Sequence, residues 1–187
     1  MNKVIKNCLV TRSDALVLKE FCIDKSSPLY KTYKGFNTGV NLQASSVYSM
    51  YSGEVCMIWG QRTQSWVVGI FVNFDQLYLF KNLKSVAVDV GQSVDIGTYI
   101  GEANKWVTIE YANTYIKNEF PYRVGTRKGV VTMYKDDPMK ILDPESTQIQ
   151  DKLPQYDESQ LQGVVDRYDQ GLNPSMMFML SDNKGGD

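Results

Sequence analysis

The side chains that could carry out chemistry are few in this sequence, and histidine is absent from all 187 residues. Without imidazole, the usual general base, proton shuttle and zinc ligand of enzymes are missing. The three cysteines, Cys8, Cys22 and Cys56, have no CxxC spacing, and no histidine is available to activate a thiolate. We therefore expect reduced thiols, no disulfide framework and no cysteine- or histidine-dependent catalysis.

The acidic side chains and the net charge argue against two further classes of function, glycosidases and proteins that bind nucleic acid or anionic lipid. The adjacent Asp136 and Asp137 precede Glu145, but neighbouring acids at a turn are usually solvated, so a glycosidase pair is a weak prospect. The formal net charge is -1, with both signs interspersed, so no general attraction to nucleic acid or to anionic lipid is expected. No signal-peptide core and no run of transmembrane length is present in the sequence given.

The elements that must position any site are predicted to be strands. Residues 42–134 contain short β-branched and aromatic runs separated by glycine, such as GEVCMIWG, SWVVGIFVNF and KWVTIEYA, which are typical of an antiparallel β-sheet or sandwich. In the stretch from Trp106 to Tyr111, alternate residues fall on opposite faces, so one face packs and the other lines a groove or meets solvent. Trp59 and Trp66 lie in apolar runs and are expected to pack in the core.

Three regions are predicted from these patterns: an N-terminal segment over 1–34, a β domain over 35–143 and a mostly irregular extension over 144–187. The N-terminal segment is expected to hold a strand in NKVIKNCLVT and a short helix over SDALVLKEFC, with Ser13 as its N-cap. The extension is rich in Asp, Gln and Pro, and three interpretations stay open: it wraps the domain, it is disordered, or it docks on a partner through an apolar patch, Met176, Met177, Phe178, Met179 and Leu180.

The glycine-punctuated stretch Val86–Gly101, VAVDVGQSVDIGTYIG, is the most informative motif. It resembles a hairpin shared by lysostaphin-type endopeptidases and by biotinyl and lipoyl carrier domains. A carrier domain attaches its cofactor to a lysine at the hairpin tip, whereas the turns here hold Gln92 and Ser93 and no lysine. The carrier interpretation therefore fails.

Flanking segments, over roughly residues 35 to 111, resemble the lysostaphin-type, or LytM-type, zinc endopeptidases, a family with the duplicated hybrid motif fold. Gly35–Leu42 is similar to the family's GxHxGxD motif, Leu79–Leu83 to its Y-x-HL element and Trp106–Glu110 to its HxHxE motif. The resemblance implies a mainly β, antiparallel fold in which the chain has lost every metal ligand. Asn37, Asn41 and Thr108 stand at the zinc-ligand positions and Asn82 and Trp106 at the assisting histidines, so that of the HxHxE motif only Glu110 is kept.

Neutral amide and hydroxyl oxygens do not suit zinc, which prefers nitrogen, sulfur and carboxylate ligands. The resemblance therefore implies a protein without cofactor or catalysis. For the six positions Asn37, Asn41, Asn82, Trp106, Thr108 and Glu110, two interpretations stay open. Asparagines are common in turns and at strand ends for structural reasons; alternatively, the six line a vestigial groove that still holds a peptide or glycan.

By analogy with the family, we expect a structural component of a bacteriophage virion, at the tail tip or baseplate, made in the bacterial host cytoplasm. Its partners would be other virion proteins, with neither nucleic acid nor membrane involved. The alternative hypothesis is a pseudoenzyme that binds peptidoglycan or regulates an active cell-wall hydrolase. Both hypotheses are of an interaction module and not of an enzyme.

Overall fold

The computed structural model describes residues 3–61, 64–73, 75–126 and 129–142. These residues form eleven strands and two short helices. In chain order the elements are β1 (Val4–Cys8), β2 (Ser13–Lys19), α1 (Pro28–Tyr33), β3 (Val40–Gln43), β4 (Ser46–Tyr48), β5 (Gly53–Gly60), β6 (Trp66–Asn73), β7 (Gln76–Val86), β8 (Ser93–Val94), β9 (Tyr99–Asn113), β10 (Pro121–Thr126), β11 (Gly129–Asp136) and α2 (Met139–Leu142).

The strands join in one antiparallel arrangement, in the order β1-β2-β3-β9-β7-β6-β5-β8. β4 and β11 also pair with β9, and β10 pairs with β11. The 15-residue β9 is therefore the centre of the fold, in contact with four other strands. The prediction of a mainly β, antiparallel fold is confirmed.

Each face of the sheet packs a hydrophobic cluster. On β9 the alternation predicted from the sequence is present: Val107, Ile109 and Tyr111 are buried on one face, together with Tyr78 and Phe80 of β7. We call this cluster the larger core. The smaller core, on the opposite face, is built from Cys56, Met57, Val67, Phe71, Leu77, Leu79, Ala112, Val124 and Met133.

The N-terminal segment continues the same sheet. The predicted helix over Ser13–Cys22 is wrong, because Ser13–Lys19 forms β2 between β1 and β3. Within it Ala15 and Val17 are buried two residues apart, so the apolar period is that of a strand, and pairing on both sides outweighs a weak helical preference. The helix of this region is instead α1, whose N-cap Ser27 accepts a hydrogen bond from the Leu29 amide at 3.2 Å.

The Val86–Gly101 stretch packs at the core, as predicted, but it is not a simple two-stranded hairpin. Val86 pairs with Gly101 at its base, and Val88, Val94 and Ile100 are buried in the larger core. Its middle leaves this pairing to form β8 against β5. At Gly101 an added Cβ would lie 2.1 Å from the Ser85 carbonyl oxygen, so close strand approach requires glycine there.

The two tryptophans of the apolar runs differ in environment. Trp59 is partly buried against the smaller core, as expected. Trp66 is 43% exposed, so the expectation that it packs inside is wrong. It is the first residue of β6, opposite Gly60 of β5, which has no side chain to cover its ring.

At the C-terminal end of the described chain, α2 is attached to the core. The Tyr51 hydroxyl donates to the Ile141 carbonyl oxygen at 2.9 Å, and Ile141 and Leu142 belong to the larger core. The predicted extension over 144–187, with its Met176–Leu180 patch, lies outside the described residues. Among the residues that are described, no helix has the length and apolarity needed to cross a membrane.

Candidate binding site

A pair of polar side chains lies where β3 meets β9. Asn41 and Thr108 are cross-strand partners, and the Thr108 hydroxyl donates to Asn41 Oδ1 at 3.1 Å. The close approach depends on Gly39, where an added Cβ would be 2.6 Å from the Ile109 carbonyl oxygen. Two of the six positions singled out by the resemblance are therefore in direct contact, although they are 67 positions apart.

Beside this pair, on the same face of β9, Glu110 is the centre of an ion cluster. Its Oε1 accepts from the Thr38 hydroxyl at 2.7 Å, and its Oε2 accepts from Lys81 Nζ at 2.8 Å and from Lys135 Nζ. The side chains of Glu110 and Lys135 are 6% and 9% exposed, whereas that of Lys81 is 27% exposed. Lys135 Nζ also lies 4.7 Å from the centroid of the Tyr122 ring.

Burial and charge act in opposite directions on these groups. Burial alone would raise the pKa of Glu110, but the ammonium groups of Lys135 and Lys81 outweigh it and hold that pKa below its usual value. Burial lowers the pKa of Lys135, with Lys81 adding to the effect and Glu110 opposing it. The cluster carries two cations and one anion, so its formal charge is +1.

Lys81 links the ion cluster to the Asn41–Thr108 pair. It is the cross-strand partner of Thr108 on β7, as Asn41 is on β3. Lys81, Thr108 and Asn41 thus lie side by side across three strands, and we call them the polar row. The row and Glu110 lie on the face opposite the larger core, since the intervening Val107 and Ile109 point into that core.

The remaining predicted positions are tied to backbone atoms. The Asn37 amide donates to the carbonyl oxygens of Glu20 at 2.7 Å and Gly39 at 2.5 Å. Asn82 has a φ of 67° at an irregularity of β7 and donates from its side chain to the Trp106 carbonyl oxygen at 2.9 Å. For Asn37 and Asn82 these contacts agree with the structural interpretation of the asparagines.

Trp106 is placed differently from the asparagines. It lies two residues before Thr108 on β9, and its side chain is 39% exposed. An exposed indole beside a polar row offers an apolar surface for stacking. Of the six predicted positions, Asn41, Trp106, Thr108 and Glu110 therefore share one face of β9 and its neighbour β3.

Lys81 and Lys135 are the functional candidates that the sequence analysis missed. Lys81 had a local signal, because in QLYLFKNL it occupies the same alternate positions as Leu77 and Leu79, which are buried. Lys135 had none. It reaches Glu110 only because β11 returns to pair with the end of β9.

The donors of this site do not fit zinc. Asn41 and Thr108 supply neutral oxygens that are engaged with each other, and the adjacent Lys81 ammonium would repel a dication. Across the described part of the chain, no three His, Cys, Asp or Glu side chains are grouped so that they could hold a metal ion.

A separate cleft of about 830 Å³ lies at the β1–β2 turn and the β3–β4 connection. Its lining is mostly polar and includes Thr11, Asp14, Gln43, Tyr48 and Lys105. None of the polar row contributes to it, so the cleft and the candidate site are distinct.

Comparison with known proteins identifies the fold. No family model and no curated protein sequence matches the chain. Lysostaphin, solved in solution, matches with a TM-score of 0.51 and 15% identity, over 70% of this chain and 51% of its own. A zinc-containing peptidase from Vibrio cholerae matches with a TM-score of 0.51 and 15% identity, over 76% of this chain and 41% of its own.

A third neighbour matches over nearly its whole length. A chain of the SpoIIQ-SpoIIIAH pore-forming complex has a TM-score of 0.57 and 16% identity, over 83% of this chain and 99% of its own. The chain therefore has the lysostaphin-type fold. It spans about half the length of lysostaphin itself.

Proposed function

We propose that this protein is a non-catalytic binding or assembly module built on the lysostaphin-type endopeptidase fold. The observation that carries the proposal is the polar row: Asn41 and Thr108 are hydrogen-bonded to each other, and Lys81 is the cross-strand neighbour of Thr108. The resemblance places two zinc ligands of the peptidases at Asn41 and Thr108. A catalytic zinc site needs three protein ligands and an open position for water, which this arrangement does not provide.

The chemistry of a metal-free alternative is equally unsupported. The chain has no histidine, and Glu110 is held ionised by two lysines and buried. A general base must reach the proton it removes and have a pKa near the working pH. Glu110 meets neither requirement, because its oxygens are occupied by Thr38, Lys81 and Lys135.

Two measurements on the purified chain test this proposal. Elemental analysis after purification without chelators is expected to give no stoichiometric zinc, and incubation with glycine-rich and stem peptides is expected to give no cleavage. About one zinc per chain would refute the proposal, since it would require a ligand set other than the one described.

We further propose that the partner is a protein, within an assembly. Support comes from the fold, which also occurs in the SpoIIQ-SpoIIIAH pore-forming complex over most of the length of the present chain. The setting that we propose, from the family resemblance, is a bacteriophage tail tip or baseplate. Mass spectrometry of purified particles and electron microscopy with antibody against this chain test that setting; absence from particles would refute it.

The exposed Trp106 favours a second candidate, binding of peptidoglycan on the polar-row face. A pull-down on purified cell wall tests it, with Trp106→Ala as the variant and Trp66→Ala as the control. Both indoles are exposed, but only Trp106 adjoins the polar row. Loss of cell-wall binding in the Trp106 variant alone is expected; equal binding by all three chains, or none by the unmodified chain, would exclude this candidate.

A further inference from the structure

We propose that the polar row is a receptor for a carboxylate, specifically for the free carboxylate end of a peptide chain, with Lys81 as its principal charged contact. The proposal rests on the proposed function in one respect only, namely that this position holds no catalytic metal. It names the chemical class of ligand that such a metal-free site would recognise.

The first step is the charge balance. Glu110 neutralises one of the two ammonium groups that contact it, and the second is not matched within the cluster. Burial of an uncompensated charge is costly, so a site of this kind is improved by an incoming anion. A single negative charge balances the formal charge of the cluster.

The second step concerns which lysine faces the ligand. Lys135 is buried beneath the Tyr122 ring, and its side chain is 9% exposed. Lys81 keeps 27% of its side chain exposed while its Nζ stays 2.8 Å from Glu110. Glu110 thus holds Lys81 in place, and Lys81 remains reachable from solvent.

The third step is the balance of donors and acceptors. Both carboxylate oxygens of Glu110 already accept hydrogen bonds, and Asn41 Oδ1 accepts from Thr108. The remaining hydrogen-bonding groups of the polar row are N–H donors, on Lys81 Nζ and Asn41 Nδ2. A ligand that fits must therefore bring acceptors, and a carboxylate brings two oxygens with the required charge.

The fourth step separates a peptide end from a free anion. Trp106 lies on the same face of β9, two residues from Thr108, and exposes its indole. A chain end placed with its carboxylate at Lys81 can rest its preceding residue on this ring, which a small inorganic anion cannot do.

The experiment is a nuclear magnetic resonance titration of the full 15N-labelled chain with N-acetyl-glycyl-glycine. Its C-terminal amide, of the same size but neutral and with an NH2 donor in place of one acceptor oxygen, is the matched probe. Saturable shifts at the backbone amides of Asn41, Lys81 and Thr108 are expected with the acid and not with the amide. Equal shifts with both probes, or no shift with the acid, would overturn the proposal.

A pair of lysine variants on β7 sharpens the test. Lys81→Met is expected to weaken binding of the acid by about 10-fold or more, the usual effect of losing a charge-assisted hydrogen bond. Lys84→Met removes a solvent-exposed charge three residues away, which pairs with Glu102 at 3.2 Å, and is expected to bind as the unmodified chain does. Unchanged binding by a folded Lys81→Met chain would refute the assignment.

The comparison of acid and amide on the unmodified chain stands even if Lys81→Met does not fold. Its failure is also separable from failure of the proposed function. If the chain does not bind the acid and contains no zinc, the carboxylate proposal fails and the non-catalytic proposal stands. Stoichiometric zinc would refute the non-catalytic proposal.

Discussion

Substitution of Glu110 by glutamine tests the ion cluster directly. The change preserves shape but removes the anion between Lys81 and Lys135. Because Lys135 and Glu110 are almost fully buried, solvent screens little of the loss, and breaking such a buried pair costs about 3–5 kcal/mol. Lys81 is partly hydrated and glutamine can still accept one hydrogen bond, so we expect about 3 kcal/mol, the lower end of that range.

Urea denaturation of Glu110→Gln at pH 7 measures this loss as a shift of the midpoint at unchanged slope. Glu102→Gln is the matched control, since Glu102 is on the same strand and pairs with Lys84 in an exposed position at 3.2 Å. An exposed pair contributes about 1 kcal/mol or less. If Glu110→Gln loses no more stability than Glu102→Gln, the cluster does not hold the fold as we describe.

The stability difference between the unmodified chain and Glu110→Gln should also depend on pH, in a direction set by the pKa shifts of Glu110 and Lys135. The pKa of Glu110 is lowered in the folded state, so its stabilisation is present above the unfolded value, about 4.3, and is lost as pH falls through the folded pKa. The curves of the unmodified chain and Glu110→Gln should therefore begin to converge as pH falls below about 4.3 and meet below the folded pKa of Glu110. They should also approach each other toward about pH 10, as Lys135, whose pKa burial lowers, becomes neutral in the folded variant.

Three further predictions concern a glycine of β5, the attachment of α2 and the polar row. Gly53→Ala should lower the stability measured by urea denaturation by about 1–3 kcal/mol, because the added Cβ would lie 2.2 Å from a backbone oxygen of β6. In the control Gly60→Ala the nearest atom is at 3.8 Å, so the loss should be about 0.5 kcal/mol or less. Tyr51→Phe should cost about 1–2 kcal/mol by leaving the Ile141 carbonyl oxygen unpaired, and amide exchange in α2 should become faster. Burial raises the pKa of Tyr51 to about 12, so the stability of the unmodified chain should fall above pH 10, and that of the variant should fall less. The combined substitutions Asn37→His, Asn41→Asp and Thr108→His should rebuild a metal site that binds zinc in calorimetry, and adding Lys81→Gln, which removes the neighbouring cation, should tighten that binding. Failure of a folded variant to bind zinc would show that the aligned positions do not converge.

The part of the candidate site that could be predicted from the sequence is the part that the order of the family motifs indicates. The resemblance aligned Gly35–Leu42 and Trp106–Glu110 with motifs that meet in space, and the structure brings Asn41 against Thr108. It also brings Thr38 to Glu110, a contact that no pattern indicated. Local spacing identifies which residues share a strand face, but it does not give the partners across 72 positions.

The sequence by itself determined the absence of histidine, which leaves these residues without an imidazole ligand or base, and the alternation of β9, which sets the inward and outward faces. Only tertiary structure decided that Ser13–Lys19 is a strand, since pairing with β1 and β3 supplies energy that local preference does not contain. It likewise decided that Lys135 shares Glu110 with Lys81. A buried charge is determined by which strands pair and what they exclude from water, and that information is not local in the chain.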